Sequence, residues 1–369
     1  MGLVLDSVTK KVGGETHVYN VSLELESGAT NVVLGRTLAG KTSLLRLMAG
    51  LDRPTSGRVL IDGKDVTGLS VRKRSVAMVY QQFVNYPSMT VYKNIASSLK
   101  MSGMGHAEID RKVRKTAAML RIDKLLDRLP AELSGGQQQR TAIARSLVKD
   151  AELLLLDEPL VNLDYKLREE LQVELQDIFK QRKAIVVYTT TEPAEALTLG
   201  GNIVVVDEGR VLQTGPTPSV YHHPATTKVA QVFSDPPINF LNGTIHSDGA
   251  RLGQDIEIRL EGHIRSLPAG NYLFGVRPNH LFLSRVGEKD IEIRAKVALA
   301  EINGSETFIH VSHGDAQMVV QEDGIHAKPI NSEIAVYVDP SCFYVYDTDG
   351  KLLASPTTDS AACRLSGSP

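Results

Sequence analysis

One string of eight residues limits what this chain can fold into more than any other feature: Gly35-Arg36-Thr37-Leu38-Ala39-Gly40-Lys41-Thr42. It fits the pattern G-x-x-x-x-G-K-[ST]. It also stands between an apolar run, Asn31–Leu34, that reads as a buried strand and a stretch, Lys41–Ala49, that reads as a helix. A loop that cradles phosphate needs that strand–loop–helix setting. Glycines let the backbone wrap so that its N–H groups and the helix start face an anion, Lys41 adds a charge, and the Thr42 hydroxyl can hold a divalent cation. The alternative, a glycine turn beside a surface lysine, leaves the flanking strand and helix unexplained.

The surrounding pattern agrees with a layered α/β architecture. Glu152–Asp157, Ala184–Tyr188 and Asn202–Val206 read as short buried strands and Leu167–Gln181 as a helix, which together argue for a largely parallel sheet. Asp207-Glu208-Gly209-Arg210 reads as a hairpin turn into Val211–Thr214. After about residue 237 the texture becomes short strands and turns. The candidates are Ile256–Leu260, Tyr272–Val276, Ile291–Ala298, Phe308–Val311, Gln317–Gln321, Ile334–Val338 and Phe343–Tyr346, as in a small barrel or sandwich. A chain of 369 residues exceeds the roughly 250–300 at which single cores stop growing, so two domains are expected. Pro236-Pro237 marks a boundary, giving 1–235 and 236–354, with a Ser/Thr/Ala-rich tail, 355–369, expected to be disordered.

Composition excludes some functions. A net charge of −2 provides no basic field for neutralising nucleic-acid phosphates. The two cysteines, Cys342 and Cys363, lack metal-like spacing and point to a reducing compartment without a disulfide framework. The N-terminus lacks the apolar core of a signal peptide, and nowhere do eighteen apolar residues run together, so a cytosolic protein that reaches a membrane only through a partner is expected. His222-His223 reads as a loop end and not a metal site, and Arg72-Lys73-Arg74 and Arg111–Lys115 as solvated faces.

Leu153-Leu154-Leu155-Leu156-Asp157-Glu158 is an apolar strand that ends in two carboxylates, where ligands bind in open α/β sheets. Asp157 would organise Mg2+, and Glu158 would orient the attacking water or accept its proton. Leu133-Ser134-Gly135-Gly136-Gln137, followed by Gln138-Gln139-Arg140, resembles the signature of ABC ATPases, and its chemistry is that of an anion nest at a helix start. Gln81 in Val79-Tyr80-Gln81-Gln82 is similar to the family's glutamine loop, and Asn162-Leu163-Asp164 to its D-loop. Gly275-Val276-Arg277-Pro278-Asn279-His280 is similar to a segment of the accessory β-domain in carbohydrate-importer ATPases of the maltose and glycerol-phosphate types.

The resemblance implies an α/β P-loop nucleotide-binding domain of ABC ATPase type followed by an all-β, OB-like barrel. It implies ATP and Mg2+ as cofactors, with residues 35–42 and Ser43 around the nucleotide and Thr42, Gln81 and Asp157 around the metal. It implies that the signature meets ATP held by a second ATPase subunit. Two transmembrane permease subunits, an extracytoplasmic substrate-binding protein and a place on the cytoplasmic face of the inner membrane complete the expectation. Members that act in translation carry two nucleotide domains, and those of DNA repair carry long coiled coils; neither feature is present.

The sequence also departs from the family. The strand Ala184–Tyr188 should lead to a histidine within a T-H-D-Q-x-E-A string, but Thr191 stands at that position in Thr189-Thr190-Thr191-Glu192-Pro193-Ala194-Glu195-Ala196, and no histidine lies between His106 and His222. Loss of one positioned transition-state donor costs on the order of 10²–10³ in rate. An adenine-stacking aromatic is replaced by Val12, unless Tyr19 substitutes; Leu38 stands where relatives have glycine, Arg36 where they have proline, and Val161 where they have serine. These departures predict an impaired ATP site of its own and a heterodimer with a competent ATPase subunit. A homodimer that tolerates Thr191 and a non-hydrolysing ATP clamp stay open, as does whether Phe83, Val84, Tyr86 and Met89 line a permease groove or fill the core.

Overall fold

The computed structural model describes residues 2–100, 103–161 and 163–357, so Asn162 and the tail from residue 358 lie outside the described residues. Two compact units, 1–217 and 218–369, divide the chain.

The first unit opens with β1 (Gly2–Val12), β2 (Glu15–Glu26) and β3 (Thr30–Leu34), then α1 (Lys41–Ala49), β4 (Ser56–Ile61), β5 (Lys64–Asp65) and β6 (Val76–Val79). It continues with α2 (Val91–Ser97), α3 (His106–Met119), α4 (Gly135–Leu147), β7 (Leu153–Asp157), α5 (Tyr165–Lys180), β8 (Ile185–Thr190), α6 (Pro193–Leu199), β9 (Asn202–Asp207) and β10 (Arg210–Pro216). One sheet has the order β10-β9-β3-β8-β7-β6 and is parallel except for the β9–β10 hairpin. Continuous apolar runs make this possible: every residue of β7 and β8 is buried, as expected of strands covered on both faces.

A second sheet, β2-β1-β4-β5, is antiparallel and was not anticipated from the sequence. Its strands alternate; Val18, Val21, Leu23 and Leu25 of β2 point inward between exposed polar neighbours, a pattern broken by register shifts that hide the period of two. Between the two sheets lies α1, whose Leu44, Leu45, Leu47 and Met48 are all buried in one core with Leu3, Leu5, Val33 and Val187. The helix that carries the phosphate loop is therefore held on more than one side. At the β9–β10 turn both central residues, Glu208 (φ 46°) and Gly209 (φ 73°), are left-handed, which matches the strand twist of a two-residue hairpin.

Helix α7 (Thr217–His222) starts at the boundary, and among its described residues the second unit continues with α8 (Thr227–Val232) and ten strands: β11 (Asn239–Ile245), β12 (Ala250–Leu252), β13 (Ile256–Ile258), β14 (Gly270–Val276), β15 (Ile291–Ile302), β16 (Glu306–His313), β17 (Ala316–Asp323), β18 (Glu333–Val338), β19 (Tyr344–Tyr346) and β20 (Leu352–Ala354). They form two antiparallel sheets, β13-β12-β11-β14-β19-β20 and β17-β16-β15-β18, around a shared core that includes Leu241, Phe274, Ile293, Val311, Val320, Val336 and Phe343. The β-sheets of this unit are consistent with the OB-like expectation. Arg277 is buried in it, lies 3.7 Å from the Tyr221 ring centroid, and donates to the carbonyls of Phe233 (3.0 Å) and Tyr221 (2.8 Å). Cys342 is buried in the same unit.

Candidate nucleotide site

The loop between β3 and α1 owes its path to two glycines. A Cβ on Gly35 would lie 2.5 Å from the Val206 carbonyl oxygen, so only glycine lets the loop root press against β9. Gly40, at φ 97°, forms the N-cap of α1 with the His17 carbonyl packed behind it. Leu38 takes φ 67° with a full side chain that is 95% exposed, a conformation that costs a non-glycine residue roughly 1–2 kcal/mol.

Lys41 is the hub. Its Nζ, almost wholly buried, donates to the carbonyls of Gly35 (2.7 Å) and Arg36 (2.9 Å) and lies 3.0 Å from Glu158 Oε1. The other Glu158 oxygen accepts from Gln81 Nε2 at 3.2 Å. Asp157 Oδ1 accepts from Thr42 Oγ1 at 3.2 Å and from Thr189 Oγ1 at 3.0 Å, while Glu158 N donates to Thr189 Oγ1 at 2.9 Å. Four segments distant in sequence thus converge at the carboxyl ends of parallel strands, where open α/β sheets place their ligands. Burial holds the Asp157 carboxyl above its usual range, against the hydroxyl bonds of Thr42 and Thr189. The Thr42 hydroxyl and the Asp157 carboxylate lie together, and with the Gln81 amide oxygen they would make an all-oxygen donor set. That fits Mg2+, which binds one or two carboxylates and takes further oxygens from phosphate and water.

Thr189 was missed from the sequence because β8 runs two residues beyond the expected Tyr188. Parallel register pairs Asp157 with Thr189, and that register, which only the sheet supplies, puts a hydroxyl beside the Asp157 carboxylate.

The signature is arranged for a different contact. Ser134 caps α4 reciprocally with Gln137: Ser134 N donates to Gln137 Oε1 at 3.1 Å and Gln137 N donates to Ser134 Oγ. Its two glycines differ. A Cβ on Gly135 would meet nothing, which leaves the helix start open to an approaching group, whereas one on Gly136 would overlap Leu167 of α5. Leu133 is buried beneath them, and among the described residues no hydrogen bond or ion pair joins residues 133–137 to residues 35–43. In the D-loop segment Leu163 is buried and Asp164 caps α5 by accepting from Leu167 N at 3.0 Å.

Thr191 follows β8 directly and is partly exposed. Val12 ends β1 at 50% exposure, offering an aliphatic surface only. Tyr19 is tied to the phosphate loop through Gly209: Tyr19 N donates to Gly209 O (2.8 Å) and Gly209 N to Ala39 O (3.0 Å). The Arg210 guanidinium lies 4.5 Å from the Tyr19 ring centroid.

Residues 18–161 match the family described as ABC transporter. The sn-glycerol-3-phosphate import ATP-binding protein UgpC of Salmonella typhi is 38% identical over 323 residues, covering 87% of this chain and 90% of that protein. The chain belongs to the ABC transporter family. UgpC of Pectobacterium atrosepticum is 34% identical over 353 residues, covering 95% of this chain and 98% of its own length. Among solved structures, the post-hydrolysis dimer of the ATP-binding cassette MJ0796 bound to ADP and Pi aligns with TM-score 0.53 at 29% identity, over 58% of this chain and 98% of that one.

Proposed function

We propose that this chain is the ATP-binding subunit of an importer that takes up glycerol phosphate or a related sugar or polyol through a membrane permease. The convergence of Lys41, Thr42, Gln81, Asp157 and Glu158 carries the reading, together with likeness to proteins named for sn-glycerol-3-phosphate import. No helix among the described residues is long and apolar enough to cross a membrane, which suits a peripheral subunit at the cytoplasmic face.

The chemistry follows from the contacts. Lys41 is held by Glu158 and two carbonyls; a nucleotide phosphate would draw the ammonium away and free Glu158 to orient a water. Thr42, Asp157 and Gln81 would hold Mg2+, which neutralises charge on the phosphates when bound. Thr191 offers a shorter, uncharged donor where relatives use histidine, so turnover at this chain's own site is slow. The intact signature then completes the site of a second, competent ATPase subunit, with two permease subunits and an extracytoplasmic binding protein in the assembly. Tyr19, braced by Arg210, takes the adenine-stacking role that Val12 cannot.

Steady-state hydrolysis by the purified chain tests this: a low rate that rises at least tenfold in Thr191→His supports it. A brisk rate unchanged by that substitution favours the second reading, an ordinary homodimer, to which the dimeric MJ0796 cassette lends support.

A further inference from the structure

The end of β8 works in two directions because its side chains alternate. Thr189 turns toward Asp157 and Glu158, while Tyr188 and Thr190, both fully buried, turn the other way toward α6. There Tyr188 OH donates to Glu195 Oε2 at 3.1 Å and Thr190 Oγ1 donates to the same oxygen at 2.7 Å. Thr190 Oγ1 also accepts from Glu192 N at 3.0 Å, closing the turn that carries Thr191, and Thr190 O accepts from Gly35 N at 3.3 Å. One buried carboxylate therefore fixes the residue that joins the phosphate loop to the Thr191 turn.

The second carboxylate oxygen faces α5. Arg168 Nε lies 4.0 Å from Glu195 Oε1, and its Nη1 lies 3.8 Å from Glu192 Oε1. That Nε is buried and has no hydrogen-bond partner. Arg168 sits one turn into α5, its N–H bonded to the carbonyl of Asp164 at 2.9 Å, and Gln172 Nε2 of the same helix donates to Glu195 O at 3.2 Å. A guanidinium held just beyond bonding distance of two carboxylates can close onto them after a small shift of either helix, and a buried donor left without an acceptor favours that shift.

We propose that Glu195 is a positioning residue that sets the Thr191 turn and couples it, through Arg168, to the start of α5. The two segments then move as a pair, so that displacement of Asp164 at the α5 N-cap is felt at Thr191. This coupling is a property of the fold and holds whether or not the chain hydrolyses ATP.

Amide hydrogen exchange of the full chain without nucleotide, read by mass spectrometry, tests it. Glu195→Gln keeps an oxygen for Tyr188 and Thr190 but removes the charge that faces Arg168; Arg168→Gln removes the partner. Each is expected to raise exchange by about tenfold both at residues 190–192 and at residues 164–168, with the double variant no worse than the stronger single one. If Glu195→Gln fails to fold, Glu195→Asp, which shortens the same charge, is expected to loosen the same two segments. Loosening confined to the segment that carries the substitution, or effects that multiply in the double variant, would overturn the proposal.

Discussion

Single side chains at this site are held in strained or desolvated states. Leu38 occupies a left-handed conformation with its side chain in solvent, so Leu38→Gly removes strain and sacrifices no packing. Chemical denaturation should show a gain of about 1 kcal/mol. Lys41→Ala should abolish measurable ATP binding by calorimetry, since it removes the ammonium tied to both the loop and Glu158. Asp157 has a definite pH signature. Burial raises its pKa above 3.8, so without metal its contribution to stability is full below the unfolded value and is lost as pH rises through the folded one. Mg2+ needs the carboxylate, so Mg2+-dependent nucleotide affinity should fall on acidification at a pH higher than an ordinary aspartate would give, and Asp157→Asn should flatten that profile.

At the scale of elements, the two signature glycines predict opposite outcomes. Gly136→Ala places a methyl group against Leu167, and overpacking of this kind costs about 1–3 kcal/mol, which thermal unfolding would register. Gly135→Ala meets open space and should leave stability almost unchanged while weakening activity of the assembled complex. The adjacent glycines look alike in sequence. Only the packing of α4 on α5 tells them apart, because that contact joins residues about thirty positions apart.

For the whole molecule, the β-rich unit has its own core and its own keystone. Arg277→Met should destabilise the second unit, because the Phe233 and Tyr221 carbonyls lose buried donors, while nucleotide affinity in the first unit stays within about twofold. Differential scanning calorimetry with and without ATP would separate the two effects.

How much of this was legible in the sequence depends on the range of the interaction. The P-loop, the paired carboxylates, the signature and the hairpin at Glu208-Gly209 are local strings whose backbone needs are met by adjacent residues, and they could be read directly. The antiparallel sheet beside α1 was not legible, because register shifts in β1 and β2 blur the alternation that marks a half-buried strand. The hydroxyl of Thr189 on Asp157 and the Tyr188, Thr190 and Arg168 environment of Glu195 were equally hidden. Each depends on which strand lies beside which and on which face a side chain leaves. The sequence by itself determined that this chain holds a phosphate loop, two acids and an anion nest. Tertiary structure alone decided what those groups touch, because parallel register and helix packing join residues with no pattern along the chain.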